Sequence, residues 1–159
     1  MTNDEEEIDC ANRFLPFFNV KNSTNFYITK KNEIQNQIDV FAYNDKDDFL
    51  KLQITKADYL DSYVYNKNKN DRIKGKTEDI EVLFRDKNDI EPCVQAIKNK
   101  IDKYKGRKID DIILLLDDVR MRQSYYFEKR FLNKKNDNLK GFFREIWYVG
   151  GENSVYRIF

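Results

Sequence analysis

Asp39 and Gln53 flank a polar stretch, Asn44-Asp45-Lys46-Asp47-Asp48, and a turn centred on Lys46 would set the acid directly across a β-hairpin from the amide. Held side by side on a rigid sheet, the two offer oxygen ligands to a hard cation such as Mg²⁺, and Glu33, upstream of the hairpin, is a candidate third ligand. Such a cation would orient a water and neutralise a phosphodiester under attack. Lys51, on the same face as Gln53, and Lys56, one residue beyond Thr55, are candidate cations for polarising that water or the phosphate. A solvent-facing side of an antiparallel hairpin also carries polar residues with no ligand at all, and that plainer reading stands beside the first.

Other chemistry is narrowed by what the chain lacks. There is no histidine, which removes Ser-His-Asp and Cys-His triads, His-metal nucleases and His phosphotransfer together. The two cysteines, Cys10 and Cys93, lie far apart and neither begins a CxxC motif, so they suggest no zinc site and no disulfide framework. They read as small buried residues. With 29 Lys and Arg against 28 Asp and Glu, the formal charge is +1 and any basic surface has to be local.

The elements that must position these residues are legible in the spacing. A length of 159 residues suits a single domain over 1–159. An acidic start leads into a first helix expected from Asp4 to Leu15, ended by Pro16. Asn25 to Lys30 is aromatic and β-branched enough for a strand, so that with the hairpin it makes three antiparallel strands. In the hairpin, Ile38 with Ile54, Val40 with Leu52 and Ala42 with Leu50 form the apolar face. Residues 57–79 read as a polar loop. Ile90, Val94, Ile97, Ile101 and Tyr104 mark one helix face closed by Gly106, and Asp111 to Asp117 is a buried central strand. A polar helix from Val119 to Leu132 would follow, with Asp117 and Asp118 as its N-cap pair, and then strands at 145–150 and 154–159, the first with Trp147 packed into the core.

This order of elements, with Asp39 opening the second strand and Gln53-Ile54-Thr55 on the third, resembles the PD-(D/E)XK nuclease superfamily, the restriction-endonuclease-like fold. The resemblance covers roughly residues 4–117. It implies a mixed α/β core of a helix, three antiparallel strands, a crossover helix and a further buried strand, here with added C-terminal strands. Asp39 matches the family's first acid, Gln53 falls where the second acid stands, and Thr55 occupies the lysine position. Glutamine is a weaker metal ligand than a carboxylate, and threonine carries no charge. The resemblance therefore implies a Mg²⁺-dependent nuclease whose lysine comes from elsewhere, with Lys51, Lys56 and Lys98 as candidates. Glu7 on the first helix is a further candidate carboxylate. Asp39→Ala is expected to abolish cleavage and leave folding intact. The alternative is a catalytically silent member of the fold that binds nucleic acid or serves as an assembly subunit.

Two local basic stretches interrupt the neutral background. Residues 98–108 hold six Lys or Arg with one Asp, and residues 120–135 hold six with one Glu. Lys100, Lys103, Arg120 and Arg122 are candidate phosphate contacts, and Tyr125 a base-stacking residue, unless these are simply solvated helices with their aromatics turned inward. The partner expected is nucleic acid, DNA ahead of RNA, with a homodimer or a larger assembly left open. An acidic N-terminus and the lack of a long apolar run point to a cytoplasmic protein without a membrane partner.

Overall fold

The computed structural model describes residues 2–29, 38–56, 90–118, 134–151 and 153–159. They form a mixed α/β structure with one five-stranded sheet in the order β1-β2-β3-β4-β5. The strands are Val40–Tyr43, Phe49–Lys56, Ile112–Asp118, Glu145–Gly150 and Val155–Arg157. The β1–β2 and β4–β5 pairs are antiparallel, and β2–β3 and β3–β4 are parallel. One helix, α1 (Asn3–Asn22), covers one face, and the second, α2 (Glu91–Lys103), covers the other together with a 3-10 turn at Lys134–Leu139.

The start of α1 is fixed by a reciprocal cap. Thr2 Oγ1 accepts the Glu5 N–H at 3.2 Å, and the Thr2 N–H donates to Glu5 Oε2 at 2.6 Å. The expected stop at Pro16 does not occur, and the helix runs on to Asn22. Pro16 is exposed, as is Asn12 one turn earlier, so the carbonyl left without a donor meets water. Continuing past Pro16 also brings Phe18 into the core, where Phe14 meets Trp147 edge-on at 5.1 Å and Phe18 lies 5.4 Å from Phe14.

The expected first strand is reduced to one antiparallel bridge between Tyr27 and Tyr43. Its neighbour Phe26 has its backbone engaged by a side chain: Asn19 Nδ2 donates to the Phe26 carbonyl and Asn19 Oδ1 accepts the Phe26 N–H, both at 2.9 Å. A local amide has taken the groups that a ladder would use.

The hairpin has the expected register, with Val40 opposite Leu52 and Ala42 opposite Leu50. Asn44 closes the turn, its Oδ1 accepting the Lys46 and Asp48 N–H groups at 3.0 and 2.9 Å. The pairing of Ile38 with Ile54 is not made. Ile38 packs against the α2-side core, whereas Ile54 lies in the α1-side core. Every residue of β3 is buried, as a strand covered on both faces requires. The helix stripe that ends at Tyr104 is also in place, with Cys93, Val94, Ala96 and Ile97 buried. Among the described residues no helix is long and apolar enough to cross a membrane.

Candidate functional site

The hairpin brings Asp39 and Gln53 into direct contact. Gln53 Nε2 donates to Asp39 Oδ2 at 2.6 Å, and the same oxygen accepts the Ile54 backbone N–H at 2.7 Å. In an antiparallel ladder with this register, that N–H would otherwise bond the Ile38 carbonyl. Asp39, just before β1, thus replaces a backbone acceptor with a carboxylate, and it is held against β2 by two donors.

Gln53 is 2% exposed, and its Oε1 is buried without a hydrogen-bond partner among the described residues. Turning the amide over would set Oε1 against the Asp39 carboxylate, so the contact fixes which atom is orphaned. An unpaired buried carbonyl oxygen costs free energy, on the order of 1–3 kcal/mol. It is also the donor type that a hard cation takes.

The lysine on which Asp39 acts is Lys100, from α2. Burial pushes its ammonium below the usual lysine range, while Asp39 and, more weakly, Glu7 favour the charged form and neighbouring Lys103 opposes it. Tyr104, one turn further along, is buried, and its hydroxyl is pushed up first by burial and then by Asp39. Its ring also lies 6.0 Å from Lys100 Nζ, 5.8 Å from Lys103 Nζ and 5.9 Å from Arg107 Cζ. Asp39 and Gln53 are thus in contact on the hairpin, and Lys100 and Tyr104, paired at the end of α2, are groups whose titration the Asp39 charge reaches. Reading along the sequence assigned Lys100 only to phosphate binding and Tyr104 only to a core stripe. The usable signal was their i, i+4 spacing on the helix face turned toward the hairpin.

The remaining candidates are dispersed. Lys51 shares the face of Gln53, as the strand period requires, and pairs with Asp111 at 2.7 Å, holding that carboxyl below its usual range. Lys56 lies in regular register opposite Asp117 without a bulge and pairs with Glu6 on α1. Lys98 and Gln95 are exposed on α2, and Gln95 bonds Asn99. Thr55 is half-buried on β2, and Glu7 accepts a hydrogen bond from Asn3 Nδ2 at 2.9 Å. Glu33, Arg120, Arg122 and Tyr125 lie outside the described residues, as do the expected polar loop and the helix from Val119 to Leu132.

The acids that end β3 divide between the faces of the sheet. Asp117 is 7% exposed and binds Arg13 Nη2 at 2.7 Å, while Arg13 Nη1 also donates to the Val149 and Gly150 carbonyls. Asp118 is 3% exposed and accepts the Tyr148 hydroxyl at 2.7 Å, and burial together with that carboxylate drives the Tyr148 pKa far upward. These contacts tie α1 and β4 to β3, and they give both carboxylates a role other than capping. Arg13 also pairs with Asp9 one turn earlier on α1 at 2.9 Å, but no local pattern pointed to its contact with Asp117, 104 residues away.

Among the described residues no three Cys, Asp or Glu side chains form a metal-binding group. Of the ligand set Asp39, Gln53 and Glu33, the first two are in contact, and the orphaned Gln53 Oε1 suits a hard cation. No protein-family profile matches the chain, and comparison with curated proteins and with solved structures returns no match either, so the chemistry of the site rests on its own geometry.

Proposed function

We propose that this chain is a restriction-endonuclease-like domain of the PD-(D/E)XK type that binds nucleic acid and hydrolyses phosphodiester bonds. The observation that carries the reading is the buried Gln53 amide, locked by Asp39 with its carbonyl oxygen unsatisfied among the described residues. Support also comes from the sheet, in which β2 and β4 run parallel to the central buried strand β3 and flank it, with α1 and α2 on opposite faces.

Asp39 and Gln53 would hold Mg²⁺, with Glu33 as the third ligand. The ion, when bound, supplies charge neutralisation and a water of lowered pKa. Asp39 orients the Gln53 carbonyl by occupying its amide nitrogen. Lys100 brings to the site the positive charge that Thr55 lacks, and its burial strengthens that charge's effect on a phosphate oxygen. DNA is the substrate to test first, ahead of RNA.

The experiment is Mg²⁺- and Mn²⁺-dependent cleavage of labelled single- and double-stranded DNA and RNA, with Asp39→Asn alongside and Mn²⁺ binding measured separately by calorimetry. Cleavage and ion binding that both disappear in Asp39→Asn support the reading. Cleavage that survives the substitution overturns it.

One feature favours a catalytically silent member of the same fold. The Asp39 oxygen that faces β2 already takes two hydrogen bonds, one of them completing the ladder, so the acid has a structural use with no metal. That second reading expects salt-dependent nucleic-acid binding without turnover or ion uptake.

A further inference from the structure

Two adjoining cavities of about 460 and 470 Å³ open on the sheet end where β3 and β4 begin, and Gly141 lines both. The first is walled by Lys105, Arg107 and Lys108, the loop that follows α2, and has Ile101 and Ile109 among its apolar lining. The second is walled by Lys21, Lys140, Arg144 and Arg157, with Leu139, Ile146 and Ile158 beneath them. Among the described residues, Asp102 and Asp110 are the acidic side chains that line the first cavity, and none lines the second. Lys140 and Arg157 are partly neutralised by Asp137 and Glu145, each at 3.3 Å, whereas Lys105 and Arg144 have no salt bridge among the described residues. In a chain of net charge +1 this is a strong local segregation of positive charge.

An aromatic ring lines the first cavity next to the residue that both share. Phe142 follows Gly141, whose φ of +87° turns the chain there, and it is 45% exposed beside the cations of the first cavity. Tyr104, which stands beside Lys100 at the end of α2, forms part of the same wall.

We infer that these two cavities are a track for single-stranded nucleic acid, in which the cations follow successive phosphates and a base stacks on Phe142. Cations spread over two joined cavities suit a polymeric anion, because a small anion would fill only one. The exposed Phe142 ring on the wall of the basic first cavity offers a stacking face to an unpaired base, which a duplex does not present. The inference rests on the nucleic-acid part of the proposed function, and it names the strandedness of the substrate and the path that it follows.

The test is fluorescence anisotropy of the full chain with a labelled oligothymidylate, repeated over a range of KCl, for the wild type, Lys105→Glu/Arg144→Glu, Phe142→Ala and Asp39→Asn. Thermal melting checks each variant's fold. The charge reversals are expected to weaken binding roughly tenfold or more and to flatten the salt slope by about 0.7 for each phosphate no longer neutralised. Phe142→Ala is expected to weaken binding about five- to a hundredfold. Asp39→Asn, which removes a negative charge, is expected to bind no more weakly than the wild type, so a chain that binds along the track without cutting fails only the catalytic reading. Affinity unchanged by the charge reversals or by Phe142→Ala overturns the track. So does a wild type that binds no oligothymidylate, or that prefers duplex, inorganic polyphosphate or phosphatidylserine vesicles.

Discussion

The Asp39 carboxylate takes the Ile54 backbone N–H at 2.7 Å, so the acid just before strand β1 also completes the hydrogen bonding of strand β2. An interaction of this kind makes one side chain answer for both folding and chemistry, and the two uses have to be separated by the choice of substitution.

Asp39→Ala removes the acceptor of two donors, one of them the nearly buried Gln53 amide, and is expected to cost about 1–3 kcal/mol of stability. Its effect on cleavage would then be ambiguous. Asp39→Asn keeps an oxygen for Ile54 and is expected to cost less, about 0.5–1.5 kcal/mol, while removing the charge. Urea denaturation of the two variants measures the difference, and equal losses would show that the Ile54 hydrogen bond carries no weight.

Gln53→Glu replaces the donor that faces Asp39 with a second carboxylate. Without divalent ions it is expected to lower stability by about 1–3 kcal/mol, since like charges meet where a hydrogen bond stood. With Mg²⁺ the loss should shrink, because ion binding to the native state stabilises it by mass action. Melting in EDTA and in millimolar Mg²⁺ reads both arms. A melting temperature that ignores Mg²⁺ would remove these two residues from any ion site.

Lys100 provides a pH signature. Its folded-state pKa lies below the usual value of 10.5, chiefly through burial, so above the folded value the unfolded chain holds its proton more tightly than the native one. Its contribution to stability therefore improves as pH rises through the window just below 10.5 and is least favourable below the folded value. Lys100→Met is accordingly expected to stabilise the protein at pH 7, by an amount that shrinks toward pH 10, and to reduce cleavage. Denaturation at the two pH values checks the sign, and a uniform effect would locate the lysine outside a buried environment.

The hairpin, the α2 stripe and the central strand were legible because each is specified locally. Val40, Ala42, Leu50 and Leu52 alternate on one face, Asn44 supplies the turn chemistry, and Val94, Ile97 and Tyr104 repeat at helix spacing. The departures arise where a distant partner overrides a local rule. Pro16 does not end α1, because Phe18 gains a place beside Phe14 and Trp147. The strand expected at Asn25 to Lys30 yields to the Asn19 side chain. In the site, the contact of Asp39 with Gln53 followed from the register, but the pairing of Lys51 with Asp111 and the approach of Lys100 depend on where β3 and α2 pack.

The Arg13–Asp117 pair is a case that no sequence pattern revealed. Arg13→Ala removes the guanidinium bound to a carboxylate that is 7% exposed and is expected to cost about 3–5 kcal/mol. Adding Asp117→Asn should recover part of that loss. A double-mutant cycle by chemical denaturation measures the coupling, and strictly additive losses would mean that the two residues do not support each other.

Cys10 and Cys93 are both fully buried, one in the core beneath α1 and the other in the core beneath α2. Each thiol is thus shut away by a different layer, and a thiol reagent can reach it only when that layer lifts. Single-cysteine versions of the chain would turn labelling rates into two separate clocks, one for each helix, and show whether the two faces of the sheet open together or apart.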